Sequence, residues 1–245
     1  MTQDEGCDSV KVVSLLLSGL ICTCAFLSAG GAAYCQEEKN DYSRLEIAIS
    51  AFEKADKELF PVEGSMLFVG SSSIRAWKTL AEDMAPHPAI NRGFGGSQID
   101  DCVHFTDRIV IPYKPSAVVL YAGDNDIAAG KTPERVLEDF KRFAAVVRGS
   151  LPGTPLYFLS IKPSYSRWSI WPNMLKANRL IERYIVKTEN LVYIDVSSPM
   201  LDKNGNVRRE LFIEDDLHMS AKGYRLWTSI VKPRLDAIRD DYTKK

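Results

Sequence analysis

Met66-Leu67-Phe68-Val69-Gly70-Ser71-Ser72-Ser73 is the stretch that decides the fold. Its first half is apolar without interruption and too short for a helix, the mark of a strand buried on both faces. A glycine and a run of hydroxyls then close it in a tight turn. The same kind of run recurs at residues 89–91, 117–121, 156–161 and 191–195, each rich in Val, Ile, Leu, Tyr or Phe. Helical periodicity fills the gaps at 97–105, 133–149 and 173–188, and a last helix is expected over 221–236 with Ser220 as its N-cap. Ahead of the first strand, residues 42–60 place Leu45, Ile49, Phe52, Ala55 and Leu59 on one helical face, and Pro61 and Gly64 end that helix. Strands alternating with helices predict an α/β protein: a three-layer α/β/α sandwich around a mostly parallel, five-stranded sheet of flavodoxin-like kind.

That architecture makes a statement about the polar motifs. Gly70-Ser71-Ser72 follows the first strand, Gly93-Phe94-Gly95-Gly96 the second and Gly123-Asp124-Asn125-Asp126 the third. Ligands of open parallel sheets bind beyond the carboxyl ends of the strands, so all three clusters fall on one edge. A serine hydroxyl there becomes a nucleophile only if a base takes its proton. Ser72 is the candidate, with Ser71 and Ser73 as competitors. Of three histidines, His87 lies between prolines and His104 on a helical pattern among apolar neighbours. His218 stands just before a helix start with Asp215 three residues earlier, a spacing that brings a carboxylate to Nδ1 and leaves Nε2 free. Asp216 and Glu214 are open alternatives to Asp215. Gly96, through its backbone N–H, and Asn125, through its amide, are candidate donors to a developing oxyanion. Both also suit ordinary turns. Tyr165, Arg167, Trp168 and Trp171 lie in the loop after the fourth strand, where they make either a substrate-pocket wall or a packed loop.

Composition narrows the rest. A chain of 245 residues with 45% hydrophobic and 26% charged residues is one globular domain with extras, or at most two small domains. A net charge of −1 and no basic tract argue against nucleic acid as a partner. Residues 12–33 carry no charge and end in Ser28-Ala29-Gly30-Gly31-Ala32-Ala33. They read as an export signal with cleavage near Ala33, giving a periplasmic or secreted protein, and they are also long enough to remain as a membrane anchor. Four of the five cysteines, Cys7, Cys22, Cys24 and Cys35, lie in or beside this leader, and none shows metal-ligand spacing. The organisation expected is a leader or anchor over 1–33, a helical lead-in over 34–63 and a catalytic domain over 64–240.

At these residues the chain resembles the SGNH/GDSL-type hydrolases, a family of esterases, lipases and acylhydrolases named for Ser, Gly, Asn and His in four separate blocks. Gly70-Ser71-Ser72 is similar to the first block, with Ser71 where the family usually has Asp. Residues 91–96, ending in Gly96, resemble the second, Gly123-Asp124-Asn125-Asp126 the third, and Asp215 to His218 the last. The resemblance implies Ser72 as nucleophile, His218 as base, Asp215 rather than its neighbours as the orienting acid, and Gly96 and Asn125 in the oxyanion hole. It implies carboxylic ester hydrolysis without metal or other cofactor, on a small-molecule, lipid or acylated-carbohydrate ester. Two rival readings use the same residues differently. A metal-dependent phosphoesterase would gather Asp124, Asp126, Asp215 and His218 around an ion. A carbohydrate- or lipid-binding domain would keep the fold without turnover.

Overall fold

In the computed structural model, residues 41–243 are described, with side chains to residue 237. The leader expected over 1–33 and the start of the lead-in lie outside these residues. Five strands, β1 (Met66–Gly70), β2 (Ala89–Gly93), β3 (Ala117–Tyr121), β4 (Leu156–Leu159) and β5 (Leu191–Ile194), form one sheet in the order β2-β1-β3-β4-β5. Every neighbouring pair is parallel. The helices are α1 (Glu46–Glu58), α2 (Ser72–Arg75), α3 (Leu80–Asp83), α4 (Ile99–Ile109), α5 (Asp124–Ala128), α6 (Pro133–Ser150), α7 (Trp171–Ile185) and α8 (Ala221–Thr243).

Side-chain alternation along the strands builds two cores. Leu67, Val69, Val118, Leu120, Leu156 and Phe158 face α1, α4, α6 and α7. Phe68, Val119, Tyr121, Tyr157 and Leu159 face the layer that holds Trp77, Leu80 and Trp227. Both faces of the sheet are covered, which is why these strands read as unbroken apolar runs rather than alternating ones.

Where element ends differ from the sequence reading, side chains supply the reason. Strand β4 stops at Leu159, not Ile161, because the Asn178 side chain takes both the N–H (2.8 Å) and the C=O (2.9 Å) of Ile161. Strand β2 continues through Arg92, whose guanidinium is buried against Asp56 and the Tyr113 hydroxyl. Helix α4 begins at Ile99, not Ser97. The Asp101 carboxylate accepts the Gln98 N–H, and Asp126 accepts that of Ile99. Helix α8 does begin after Ser220, whose hydroxyl accepts the Gly223 N–H at 3.3 Å, and it runs on to Thr243 because no glycine or proline follows Pro233. Along the face expected over residues 42–60, Leu45 and Ile49 are buried and Phe52 partly so, but Ala55 and Leu59 are exposed. The next inward position belongs to Asp56, where an ion pair with Arg92 replaces apolar packing. The short helices α2, α3 and α5 carry too few residues to show a period.

Candidate active site

Register puts Gly70, Gly93 and Tyr121 in one row at the carboxyl edge of the sheet. The turn after β1 is tight. Gly70 has φ +133°, the Ser71 N–H donates to the Tyr121 carbonyl at 2.9 Å, and the Phe94 N–H donates to the Gly70 carbonyl at 2.8 Å. A Cβ on Gly70 would lie 1.9 Å from the Tyr121 carbonyl oxygen, and one on Gly93 would lie 2.2 Å from the Arg75 nitrogen. Only glycine fits either place. The turn buries Ser71 and Ser73 and leaves Ser72 partly exposed at the start of α2. This separates the three serines.

The loop before α8 delivers the other two groups. His218 Nε2 lies 3.0 Å from Ser72 Oγ, and His218 Nδ1 lies 2.6 Å from Asp215 Oδ2. A carboxylate only accepts, so Nδ1 carries the proton and Nε2 is left to accept from the serine hydroxyl. The other Asp215 oxygen accepts the backbone N–H groups of Leu217 (2.9 Å) and His218 (2.8 Å). Burial works to raise the pKa of Asp215, but the His218 ring and these two N–H groups outweigh it and hold the carboxyl down at about 2. Asp216 turns away, with φ +55°, to pair with Arg209 at 2.9 Å.

Three further donors follow strand ends on this edge. The backbone N–H groups of Ser72 and Gly96 meet no acceptor among the described residues. Gly96 has φ +78° and open space where a Cβ would be. The Asn125 amide donates once, from Nδ2 to the Ser97 carbonyl at 2.9 Å, and has a second Nδ2 proton to give. A hydroxyl activated by an imidazole, with free donors beside it, is suited to forming and stabilising a tetrahedral intermediate of acyl transfer.

The phosphoesterase grouping does not assemble. Asp124 pairs with Arg167, and Asp126 with Lys131 and the Ile99 N–H, so only Asp215 meets His218. Among the described residues no group of three or more His, Cys, Asp or Glu is placed to hold a metal ion. Of the loop aromatics, Trp168 is 39% exposed, whereas Trp171 is 7% exposed and belongs to the core. The reading of Trp171 as a pocket wall is therefore corrected: as the first residue of α7 it packs inward, stacked under Trp168 at 6.3 Å between ring centres. His87 meets Asp236 at 2.9 Å across 149 positions of sequence. His104 stacks on Tyr42.

Two contacts near the site lie outside the sequence reading, which gives Lys162 no role and places Arg167 only in the pocket wall or packed loop. Lys162, at the end of the fourth strand's run, is 1% exposed and donates to the Leu217 carbonyl at 2.9 Å, inside the loop that carries His218. Burial pulls its pKa below the ordinary lysine value. A lysine directly after an apolar strand was the available signal. Arg167 donates to Asn125 Oδ1 at 3.0 Å. Nothing local in sequence marks that contact.

Comparison with known proteins gives the family and the fold. Residues 63–226 match the GDSL-like Lipase/Acylhydrolase family. No curated protein matches the chain. Among solved structures, a Bacteroides fragilis protein described as an acylhydrolase is 19% identical with a TM-score of 0.69, covering 82% of this chain and 99% of its own. A GDSL-like lipase from Bacteroides thetaiotaomicron is 20% identical with a TM-score of 0.63, covering 81% and 98%. A carbohydrate esterase of family 3 from Talaromyces cellulolyticus is 16% identical with a TM-score of 0.57, covering 72% and 99%. At these identities the likeness is one of fold.

Proposed function

The chain belongs to the GDSL-like Lipase/Acylhydrolase family, a family of ester hydrolases, and from that premise we propose that it cleaves carboxylic esters through a Ser72–His218–Asp215 triad and an acyl-enzyme. The observation that carries the reading is the continuous chain from Ser72 Oγ to His218 Nε2 at 3.0 Å and from His218 Nδ1 to Asp215 at 2.6 Å. Ser72 Oγ attacks the acyl carbon while its proton passes to Nε2. The carbonyl oxygen becomes an oxyanion among the Ser72 and Gly96 N–H groups and the Asn125 amide. Collapse expels the alcohol, which takes the proton from His218. Water then repeats the sequence on the acyl-enzyme, with His218 as base, and releases the carboxylic acid. Asp215 holds the tautomer and stabilises the imidazolium at each protonation.

The substrate class favoured is a small or carbohydrate ester. The exposed Trp168, in the loop that reaches Asn125, suits stacking on a sugar ring, and a carbohydrate esterase is among the structural neighbours. A panel of p-nitrophenyl esters of graded acyl length together with acetylated sugars tests the class. For the mechanism, Ser72→Ala should abolish turnover without changing the melting curve, and a fluorophosphonate should label Ser72 alone. Labelling at Ser71 or Ser73, or undiminished turnover in Ser72→Ala, defeats the assignment. A domain that only binds would bind the ester and leave the phosphonate unreacted.

A further inference from the structure

The amide of Asn125 has two ends that differ in hydrogen bonding, and its neighbours permit one orientation only. A guanidinium has no acceptor, so Arg167 Nη2, 3.0 Å away, must face Oδ1. A carbonyl has no donor, so Ser97 O, 2.9 Å away, must face Nδ2. Turning the amide over would set Oδ1 against the Ser97 oxygen and Nδ2 against the guanidinium, losing both bonds for two repulsions. One Nδ2 proton is thereby committed to Ser97 and the other is left for a ligand.

Arg167 is itself held. Its Nη1 forms an ion pair with Asp124 Oδ2 at 3.2 Å, without hydrogen-bond geometry, and Asp124, adjacent in sequence to Asn125, has a side chain only 5% exposed. Lys162 stands 4.0 Å from the same carboxylate oxygen. Asp124 therefore anchors a guanidinium whose other arm reaches back to the next residue's amide. A cation on Oδ1 also draws electron density from the amide and strengthens Nδ2–H as a donor.

We propose that Arg167, anchored by Asp124, is a positioning residue that orients and polarises the Asn125 amide for the oxyanion. The proposal rests on the acyl-transfer reading above and adds to it a group outside the four sequence blocks. It excludes a role for Arg167 as a direct contact to substrate: its effect passes through Asn125.

A double-mutant cycle on a short-chain p-nitrophenyl ester separates these roles. Arg167→Met should lower kcat by about tenfold or more, up to the ~10²–10³ that removal of an oxyanion donor costs, and should change KM little. Arg167→Met combined with Asn125→Ala should be no slower than Asn125→Ala alone. If the two losses multiply, if Arg167→Met acts through KM only, or if it changes neither constant, the proposal is wrong. Should Arg167→Met unfold, Arg167→Lys retains a cation beside Asp124. An ammonium lacks the fork that serves Asp124 and Asn125 together, so the same kcat loss and the same lack of additivity are expected. Ser72→Ala in the same assay keeps the two readings apart. If it is inactive while the cycle is additive, the triad stands and the Arg167 role falls. If it is active, the triad itself has failed.

Discussion

Asp215 and Asp216 carry the same charge on adjacent residues, and what surrounds each decides what it can do. Asp215 receives the His218 ring and two backbone N–H groups, whereas Asp216 meets the exposed Arg209. With its pKa held at about 2, Asp215 is ionised through the neutral and mildly acidic range. A loss of activity on mild acidification therefore does not report protonation of Asp215. The consequence for stability has a definite sign. A carboxyl whose folded pKa lies below the ordinary 3.8 stabilises the fold above that pH, and the contribution is lost as pH falls through about 2. With 43% of the side chain exposed, solvent keeps this contribution small. Asp215→Asn should leave stability at neutral pH nearly unchanged and lower kcat by up to about 10⁴-fold, because an amide no longer enforces the tautomer. Asp216→Asn should cost little, since asparagine tolerates the left-handed backbone and an exposed ion pair contributes little. Steady-state kinetics on both variants checks the pair, and equal losses would contradict the choice of Asp215. The choice among Ser71, Ser72 and Ser73 was open to the residues read alone, because burial at a turn depends on what packs over it. The Arg167–Asn125 and Lys162–Leu217 contacts were hidden for another reason: they join residues 42 and 55 positions apart with no periodicity to betray them.

At the level of elements, the central strands β1, β3 and β4 were legible because burial on both faces leaves an unbroken apolar run, and the long helices because one apolar face recurs. Helices α2 and α5 were not, although both carry site residues at their starts. Each is a single turn, set by the strand end before it rather than by its own pattern. The β1–α2 turn therefore depends on glycine in a way the oxyanion loop does not. At Gly70 a methyl group would collide with the Tyr121 backbone, in addition to the strain of φ +133°. At Gly96 the backbone is also left-handed, but a methyl group would meet nothing within 4 Å. Gly70→Ala should cost on the order of 3 kcal/mol or more, or prevent folding, whereas Gly96→Ala should cost only about 1–2 kcal/mol. Urea unfolding of the two variants measures the difference. Comparable losses would show that the turn after β1 yields where its packing says it cannot.

Across the whole molecule, α1 bears on where the folding unit begins. The strand pattern alone sets a boundary near residue 64 and makes the preceding helix a lead-in, because a single amphipathic helix ahead of an α/β pattern carries no mark of attachment. Its contacts are those of a structural element. Leu45 and Ile49 lie in the same core as β1, β3 and α4. Asp56 pairs with Arg92 on the edge strand, at side-chain exposures of 12% and 10%, and also accepts the Tyr113 hydroxyl. Burial and the Asp56 carboxylate push the Tyr113 hydroxyl up to about 12, against the pull of Arg92. Glu46 and Glu53 both hold Arg108 of α4, each at 2.7 Å. Removing α1 strips the cover from that core and leaves the Arg92 guanidinium with no carboxylate. Leaving one member of a buried pair alone costs about 3–5 kcal/mol, a large share of a domain's ~5–15 kcal/mol. A chain starting at residue 41 should melt cooperatively and retain esterase activity, whereas one starting at residue 64 should be aggregated or lack a cooperative transition. Asp56→Ala isolates the ion pair within the full chain and should lose about 3–5 kcal/mol in urea unfolding while leaving KM unchanged. A chain from residue 64 that melts like the longer one, or an Asp56→Ala loss below about 0.5 kcal/mol, would reduce α1 to an appendage. The opposite outcome makes the edge strand β2, and with it the start of the loop carrying Gly96, dependent on a helix that the four-block pattern does not include.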